Sequence, residues 1–193
     1  MKMILLQTTV AAALMGVAVP AMAQSVPGAT IAVVDLEKVT AQCTACKSAN
    51  AALTGQINAL RARQKALSTP LETEAKSLQA AVTALAGKAP DAALQARVQA
   101  FQAKQQAGAQ EVTRQEQQIQ RNQAYIQQQI GAKLGPIYQQ VMQRRGANMM
   151  VEVSTTLATA ASLDVSNDVL AALNAALTSV QTTAPAQAAP QGR

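Results

Sequence analysis

The sequence predicts an α+β protein in which a long antiparallel helical hairpin, a coiled-coil arm, is inserted in a small β-body. Two blocks of helical periodicity flank a single turn, and short strand-like segments lie before and after them. Apolar residues make up 49% of the chain, but aromatics make up only 2% and histidine is absent. Because alanine supplies much of the apolar content and buries little area, long helices with narrow apolar stripes suit this composition better than a large core.

Residues 1–23 are predicted to form a secretory signal peptide. Lys2 precedes an apolar run that extends to about Val19, and Ala21-Met22-Ala23 supplies a small–x–small cleavage pattern before Gln24. No stop-transfer charges follow the run, which disfavours a retained membrane anchor. We therefore expect an exported, soluble protein that is cleaved near Ala23/Gln24.

After a Pro/Gly linker at 24–29, residues 30–39 favour one short buried strand. From about Ala41 the pattern becomes helical, and apolar residues recur at steps of three, four or seven, which is typical of a coiled coil. In the first helix these are Leu53, Ile57, Leu60, Leu67, Leu71, Leu78 and Leu85. In the returning helix they are Leu94, Val98, Phe101, Val112, Ile119, Ile126, Ile130, Leu134, Ile137 and Val141.

The stretch ALAGKAPDAAL separates the two helices and predicts the tip of the arm near residues 87–91. Gly87 can adopt the left-handed conformation that ends a helix, and Pro90 cannot continue one. Asp91 places a negative charge at the start of the next helix, where the helix dipole favours it. Two helices joined by so short a turn run antiparallel, and forty residues at about 1.5 Å each give an arm roughly 60 Å long.

Two features predict irregularities in the arm. Thr69-Pro70, followed by Glu72, resembles a fresh helix start with Thr69 as N-cap, which predicts a kink or hinge there. A second bend is expected near the base of the returning helix, at Gly131 and Gly135-Pro136. Between Phe101 and Val112 the apolar stripe holds only Gln105 and Gly108, which predicts loose packing there.

Beyond the arm, residues 147–154 and 155–161 are predicted to form two further strands. Ser166 is predicted to cap a final helix that carries Val169, Leu170, Leu173 and Leu177. Residues 181–193 lack apolar periodicity and are predicted to be a disordered tail. The strands from both ends of the chain are expected to meet beside the base of the arm.

Positive charge is concentrated in the middle of the chain. Between Lys47 and Arg145 there are 13 Lys and Arg residues but only five Asp and Glu residues, Glu72, Glu74, Asp91, Glu111 and Glu116. Such a surface attracts anionic lipid or acidic protein segments. Export and the scarcity of aromatic stacking groups exclude nucleic acid as an expected partner.

This order of segments resembles the Skp/OmpH family of periplasmic chaperones. The resemblance is carried by IAVVDLEKV after the signal peptide, by LGPIYQQVMQRRGANMMVEVSTTLATAA after the hairpin, and by DVSNDVLAAL near the end. It implies a homotrimer whose strands form a shared β-body from which the hairpins hang as tentacles. It further implies an ATP-independent periplasmic holdase that keeps unfolded outer-membrane proteins between the arms, with anionic lipid or lipopolysaccharide as a further possible partner.

With this resemblance, the chain divides into a discontinuous β-body (24–46 and 135–180) and a helical arm (47–134). We expect no catalytic residue, metal or cofactor. The candidate client-contacting residues, chosen only by charge and placement, are Arg61, Arg63, Lys65, Lys76, Lys88, Arg97, Lys104, Arg114 and Arg121. The arms are richer in Gln and Ala than a strongly charged client surface would be.

Cys43 and Cys46 form a Cys-x-x-Cys pair in an exported chain, where a local disulfide, two inert thiols or a redox pair are all conceivable. No parallel partner strand is expected beside the strand that leads to them, which disfavours a thioredoxin-like site. An enzyme is disfavoured because the acidic residues are scattered and histidine is absent. The remaining alternative to a chaperone is a structural coiled-coil scaffold of the envelope that binds no client.

Overall fold

The computed structural model describes residues 28–186. The predicted signal peptide and cleavage position lie outside these residues, as do residues 187–193. The helices and strands follow one another as β1 (Ile31–Val34), α1 (Leu36–Gln42), α2 (Thr44–Ala84), α3 (Ala92–Arg145), β2 (Met149–Glu152) and α4 (Ser166–Ala176), with short 3₁₀ turns at Val153–Thr155 and Ala161–Leu163.

The sheet consists of β1 and β2, which pair in parallel with Ile31 opposite Met149 and Val34 opposite Glu152. Strand β1 is shorter than the 30–39 segment predicted from the sequence. The reason is Asp35, whose carboxylate accepts the Lys38 backbone N–H at 2.8 Å and so starts helix α1 directly after the strand. On its other edge, β1 bonds only locally, where the Val165 N–H donates to the Val33 carbonyl at 2.8 Å.

The strand predicted at 155–161 is wrong: the described residues contain two strands rather than three. Immediately after β2 the chain turns, and the hydroxyls of Thr155 and Thr156 donate to the carbonyls of Glu152 and Val153 at 2.7 and 2.8 Å. Such local side-chain bonds offer the backbone an alternative to a strand ladder. The threonines that favoured a strand in the sequence therefore end one instead.

Helices α2 and α3 form the hairpin, with 41 and 54 residues respectively. The turn between them contains Ala86 and Gly87, both at positive φ (47° and 89°). Asp91 is the N-cap of α3, and its carboxylate accepts the Leu94 N–H at 2.8 Å. The turn chemistry predicted for Gly87 and Asp91 is therefore present, with Ala86 as an additional left-handed residue.

Helix α2 runs through Pro70 without a break, so no new helix starts at Thr69, and the kink or hinge expected there stays a prediction. The Thr69 hydroxyl donates to the Lys65 carbonyl at 2.9 Å, one turn back in the same helix, instead of capping a new one. Helix α3 likewise includes Gly135 and Pro136.

The main hydrophobic core lies in the body at the base of the hairpin. Val39, Val141, Val169 and Leu173 are fully buried there, so α1, the end of α3 and α4 pack around a common centre. Ser166 does not cap α4 as predicted. Its hydroxyl accepts the Asp35 N–H at 2.8 Å, and its own backbone N–H donates to Asp164 Oδ1 at 2.8 Å.

The prediction that residues 181–193 form a disordered tail is wrong for residues 181–184. Residues 181–184, here called the strap, lie against the base of the hairpin and bond to both α2 and α3. Apolar periodicity could not reveal this, because the strap is held by hydrogen bonds and not by apolar side chains. Within residues 28–186, no helix combines the length and apolar character that crossing a membrane requires.

Candidate functional site

Halfway along the hairpin a groove, here called the mid-arm groove, lies between the two helices. It has a volume of about 480 Å³ and is lined by Leu67, Pro70, Leu71, Glu74, Lys104, Ala107, Gly108, Glu111 and Arg114. Gly108 faces α2 with no side chain, and a Cβ placed there would meet Leu67 Cδ1 only at 4.0 Å. The groove lies where the sequence predicts loose packing, and its floor is apolar.

Two ion pairs cross the hairpin at this groove. Arg63 contacts Glu111 through two hydrogen bonds of 2.6 and 3.0 Å, and Lys104 contacts Glu74 at 2.8 Å. The hydrogen bond from Arg63 holds the pKa of Glu111 below its usual value, with the charges of Arg63 and Arg114 adding to the effect. Because Arg63 and Lys104 are exposed and the two carboxylates are only partly buried, the pairs position the two helices more than they stabilise them.

Nearer the body, the hairpin contains a polar layer centred on Asn122, whose side chain is only 3% exposed. Its amide nitrogen donates to Gln56 Oε1 at 2.7 Å, across the hairpin, and its oxygen accepts from Gln118 Nε2 at 2.8 Å. The same oxygen accepts the Ala184 N–H at 2.8 Å, so the strap completes the layer. Every described partner of Asn122 is therefore an amide.

The surface of the body carries apolar residues that the chain itself does not cover. Met149 is 48% exposed, Leu157 is fully exposed, and Ile31, Val153 and Leu163 are also exposed. Within the described residues, β2 pairs with β1 alone and leaves its other edge open. An open edge next to exposed apolar side chains is typical of a surface that pairs with another chain.

Comparison with known proteins identifies the family. A family model for OmpH-like outer membrane proteins matches residues 30–173, which is most of the chain. The chain belongs to the OmpH-like family. Comparison with curated protein sequences gave no match.

A solved structure has the same fold as this OmpH-like chain. It is the crystal structure of an OmpH-like protein from Caulobacter crescentus CB15, a candidate outer membrane chaperone. The TM-score is 0.68 at 18% sequence identity, and the match covers 85% of this chain and 96% of the other. The fold is therefore retained although fewer than one residue in five is shared.

The structure places the nine basic candidates in different surroundings. Three of them, Arg63, Lys104 and Arg97, bond across the hairpin, the last to Ser77 Oγ at 3.0 Å. Arg61 and Arg121 bond within their own helices, to Asn58 and Gln118. Within residues 28–186, the remaining four make neither an ion pair nor a side-chain hydrogen bond: Lys65, Lys76, Lys88 and Arg114.

Only Arg114 among those four lines the mid-arm groove, while the others are spread along the arm. Charge and position in the sequence could not separate these groups, because the partners of Arg63, Arg97 and Lys104 lie on the other helix. Sequence reasoning also missed the amide layer, since its glutamines are indistinguishable in sequence from the many on the outer faces of the arm.

Cys43 and Cys46 are joined by a disulfide at the point where α1 meets α2. Cys43 is the N-cap of α2 and its sulfur accepts the Cys46 N–H at 3.2 Å. The expectation that no parallel strand lies nearby is wrong, because β2 pairs in parallel with β1. Cys43 is nevertheless 0% exposed, and a redox partner would need access to its sulfur. The burial indicates a structural bond.

Proposed function

We propose that this OmpH-like protein is an ATP-independent holdase chaperone of the periplasm. In this proposal three copies assemble through their bodies, and unfolded outer-membrane proteins are held in the space between the arms. The body corresponds to residues 24–46 and 135–180, and the arm to residues 47–134. Membership of the OmpH-like family supports a chaperone role in general.

The observation that carries the proposal is the contrast between the body and the arm. The body has a tightly packed core with several fully buried side chains. Along the arm, by comparison, few apolar residues are buried, and the mid-arm groove remains open. An arm with so little internal packing can adapt to clients of different size, and its shallow apolar surface can contact them without fixing a structure.

Assembly is supported by the exposed apolar residues beside the open edge of β2. A two-stranded sheet is marginal by itself, and pairing with strands of other copies would remove the edge and extend the core. Three arms on one body would also multiply weak client contacts, because each contact raises the effective concentration for the next.

The four basic residues without a described partner extend the proposal to anionic surfaces. Lys65, Lys76, Lys88 and Arg114 are exposed on the arm and available to acidic client segments or to the headgroups of anionic lipid and lipopolysaccharide. We expect this attraction to be modest, since other basic residues are engaged within the hairpin. Binding to anionic vesicles should therefore weaken strongly between low and physiological salt.

The test is dilution of a urea-unfolded outer-membrane β-barrel into buffer with and without the purified protein, followed by light scattering. A holdase suppresses scattering at a near-stoichiometric ratio of trimer to client without ATP. The alternative, a structural coiled-coil scaffold of the envelope, forms the same assembly but leaves scattering unchanged. Scattering that is unaffected by a correctly assembled trimer would reject the holdase.

A further inference from the structure

The strap is held almost entirely through its main chain. The Gln129 side chain forms a pair of hydrogen bonds with Gln181, accepting its N–H at 3.0 Å and donating to its carbonyl at 2.9 Å. Gln56 Nε2 donates to the Thr182 carbonyl at 3.1 Å, and Asn122 Oδ1 accepts the Ala184 N–H. One bond involves a strap side chain, from the Tyr125 hydroxyl to Gln181 Oε1 at 3.0 Å.

The geometry requires an extended chain. Asn122 and Gln129 lie seven residues apart on α3, a rise of about 10 Å. Their partners Ala184 and Gln181 are only three residues apart, and three residues cover that distance only in a nearly extended conformation, at about 3.3 Å each. The strap site, defined as Gln56, Gln118, Asn122 and Gln129, is therefore matched to an extended polypeptide that runs antiparallel to α3.

The chemistry of the strap site does not select a sequence. A side-chain amide carries both a donor and an acceptor and no charge, so it can bond to the carbonyl of any residue and to the N–H of any residue except proline. Main-chain N–H and carbonyl groups are common to every protein. The strap site thus has the properties needed to bind an unfolded segment irrespective of its side chains.

The strap also leaves part of the site unfilled. A cleft of about 360 Å³ lies beside it, lined by Gln56, Ala59, Leu60, Gln115, Gln118, Ile119, Asn122 and Thr183. The strap presents only the small Thr183 to this cleft, although Leu60 and Ile119 offer apolar walls. A segment with a large apolar residue at the Thr183 position would bury more surface there than the strap does.

We propose that the strap site binds extended polypeptide main chain, and that the strap is a resident occupant displaced by an extended segment of an unfolded client. The identity of the client as an unfolded protein rests on the proposed function. Because the strap is part of the same chain, its effective concentration at the strap site is high, and a single weakly binding client segment does not displace it. A client chain overcomes this by offering many segments, some with a large apolar residue for the cleft.

The first experiment tests the site without any client. In the full chain, the double variant Gln181→Pro/Ala184→Pro removes the two N–H groups that Gln129 and Asn122 accept, whereas Ala186→Pro lies beyond the last strap contact and is the control. A fluorescent octapeptide with the sequence of residues 179–186 is titrated against both, and anisotropy is measured. We expect the double variant to bind it at least about tenfold more tightly, because its own strap no longer competes.

Two further peptides separate main-chain from side-chain recognition. N-methylation at the positions of Gln181 and Ala184 should abolish binding, while phenylalanine at the position of Thr183 should strengthen it about tenfold by filling the cleft. Equal octapeptide binding by the double variant and the control, or binding that survives N-methylation, overturns the proposal. If the proline variant misfolds, hydrogen exchange is measured in the unmodified chain instead. Excess octapeptide should then displace the strap and reduce the protection of the Gln181 and Ala184 N–H groups, and unchanged protection overturns the proposal.

The second experiment tests the client. Hydrogen exchange at Gln181 and Ala184 is followed in the unmodified protein before and after addition of a urea-unfolded β-barrel, with light scattering recorded in parallel. We expect scattering to fall and both amides to lose protection. If scattering is suppressed but both amides keep their protection, the strap stays in place while a client is held. That result overturns the displacement of the strap by a client, but not the binding of main chain at the strap site. Scattering that is not suppressed rejects the proposed function, while the peptide experiment still decides whether the strap site binds main chain.

Discussion

The backbone N–H of Asp35 donates to the hydroxyl of Ser166 at 2.8 Å, which joins the end of the first strand to the start of the last helix. The two residues are 131 positions apart, and Ser166 is 1% exposed. The whole hairpin lies between them in sequence. This bond therefore joins the part of the body that precedes the hairpin to the part that follows it.

We predict that Ser166→Ala destabilises the body, because the Asp35 N–H loses its acceptor in a site that water does not readily reach. Leaving such a group unsatisfied costs about 1–3 kcal/mol. Urea unfolding followed by circular dichroism measures the change. Ser154→Ala, at an exposed position of the same body, is the matched control and should leave the midpoint nearly unchanged.

Asp164 predicts how the stability of the body depends on pH. Hydrogen bonds from the Ser166 hydroxyl and backbone N–H lower the pKa of Asp164, and the charge of Lys38 adds to this. A lowered pKa in the folded state contributes stability that is complete above the unfolded value of about 3.9 and is lost as the pH falls through the folded pKa. We therefore expect Asp164→Asn to be less stable than the unmodified protein at pH 6, with the difference shrinking below about pH 4. A difference that stays constant from pH 6 to pH 3 would contradict this.

Substitutions at Gly108 are predicted to affect the thermal stability of the arm and the holding of a client in different ways. Replacing a glycine inside a helix by alanine stabilises the helix by about 0.5–1 kcal/mol, and the structure leaves room for the added methyl group. Gly55→Ala is the matched control, since Gly55 lies in α2 and an added Cβ there would have no neighbour within 4 Å. Both variants should melt at a higher temperature.

Filling the mid-arm groove distinguishes the two glycines further. Gly108→Leu should reduce the suppression of light scattering, because the side chain occupies the groove, whereas Gly55→Leu should not. If both leucine variants hold the client as well as the unmodified protein does, the groove is not part of the client surface.

Leu157 tests the proposed assembly. It is fully exposed in the single chain, five residues after the end of β2, so a trimer that covers this surface should not accommodate a charge there. We predict that Leu157→Glu lowers the molar mass measured by light scattering from three chains toward one, at a concentration at which the unmodified protein is a trimer. Gln79→Glu adds the same charge to an exposed position on the arm and should leave the mass unchanged.

The hairpin was predictable from the sequence because its signals are local. Heptad spacing, Gly87 and Asp91 each act within a few residues, and the structure uses them as the patterns indicate. The errors arise where a local signal competes with a neighbour. Thr69-Pro70 resembles a helix start, but the surrounding residues continue α2 through it; Thr155 and Thr156 favour a strand, but their hydroxyls bond to the preceding carbonyls.

The features of the candidate site that could not be predicted depend on partners distant in the sequence. Arg63 and Lys65 are similar in charge and position, yet only Arg63 meets a carboxylate on α3. Gln129 is one glutamine among many, and its partner Gln181 lies 52 residues away in a segment without apolar periodicity. Side-chain hydrogen bonds of this kind leave no periodic signal, so a single sequence cannot reveal them.

Because β1 and β2 pair in parallel, the polypeptide leaves the sheet at Val34 and re-enters it at Met149, opposite Ile31, so both ends of the hairpin are attached to one small body. Only the part of the hairpin beyond the body core and the strap can therefore change in length without altering the body. Whole heptads could be gained or lost in matching numbers on α2 and α3 while the body stayed the same, each pair changing the reach of the protein by about 10 Å. In the proposed trimer, the size of the space between the arms could in this way evolve separately from the surface that assembles the bodies.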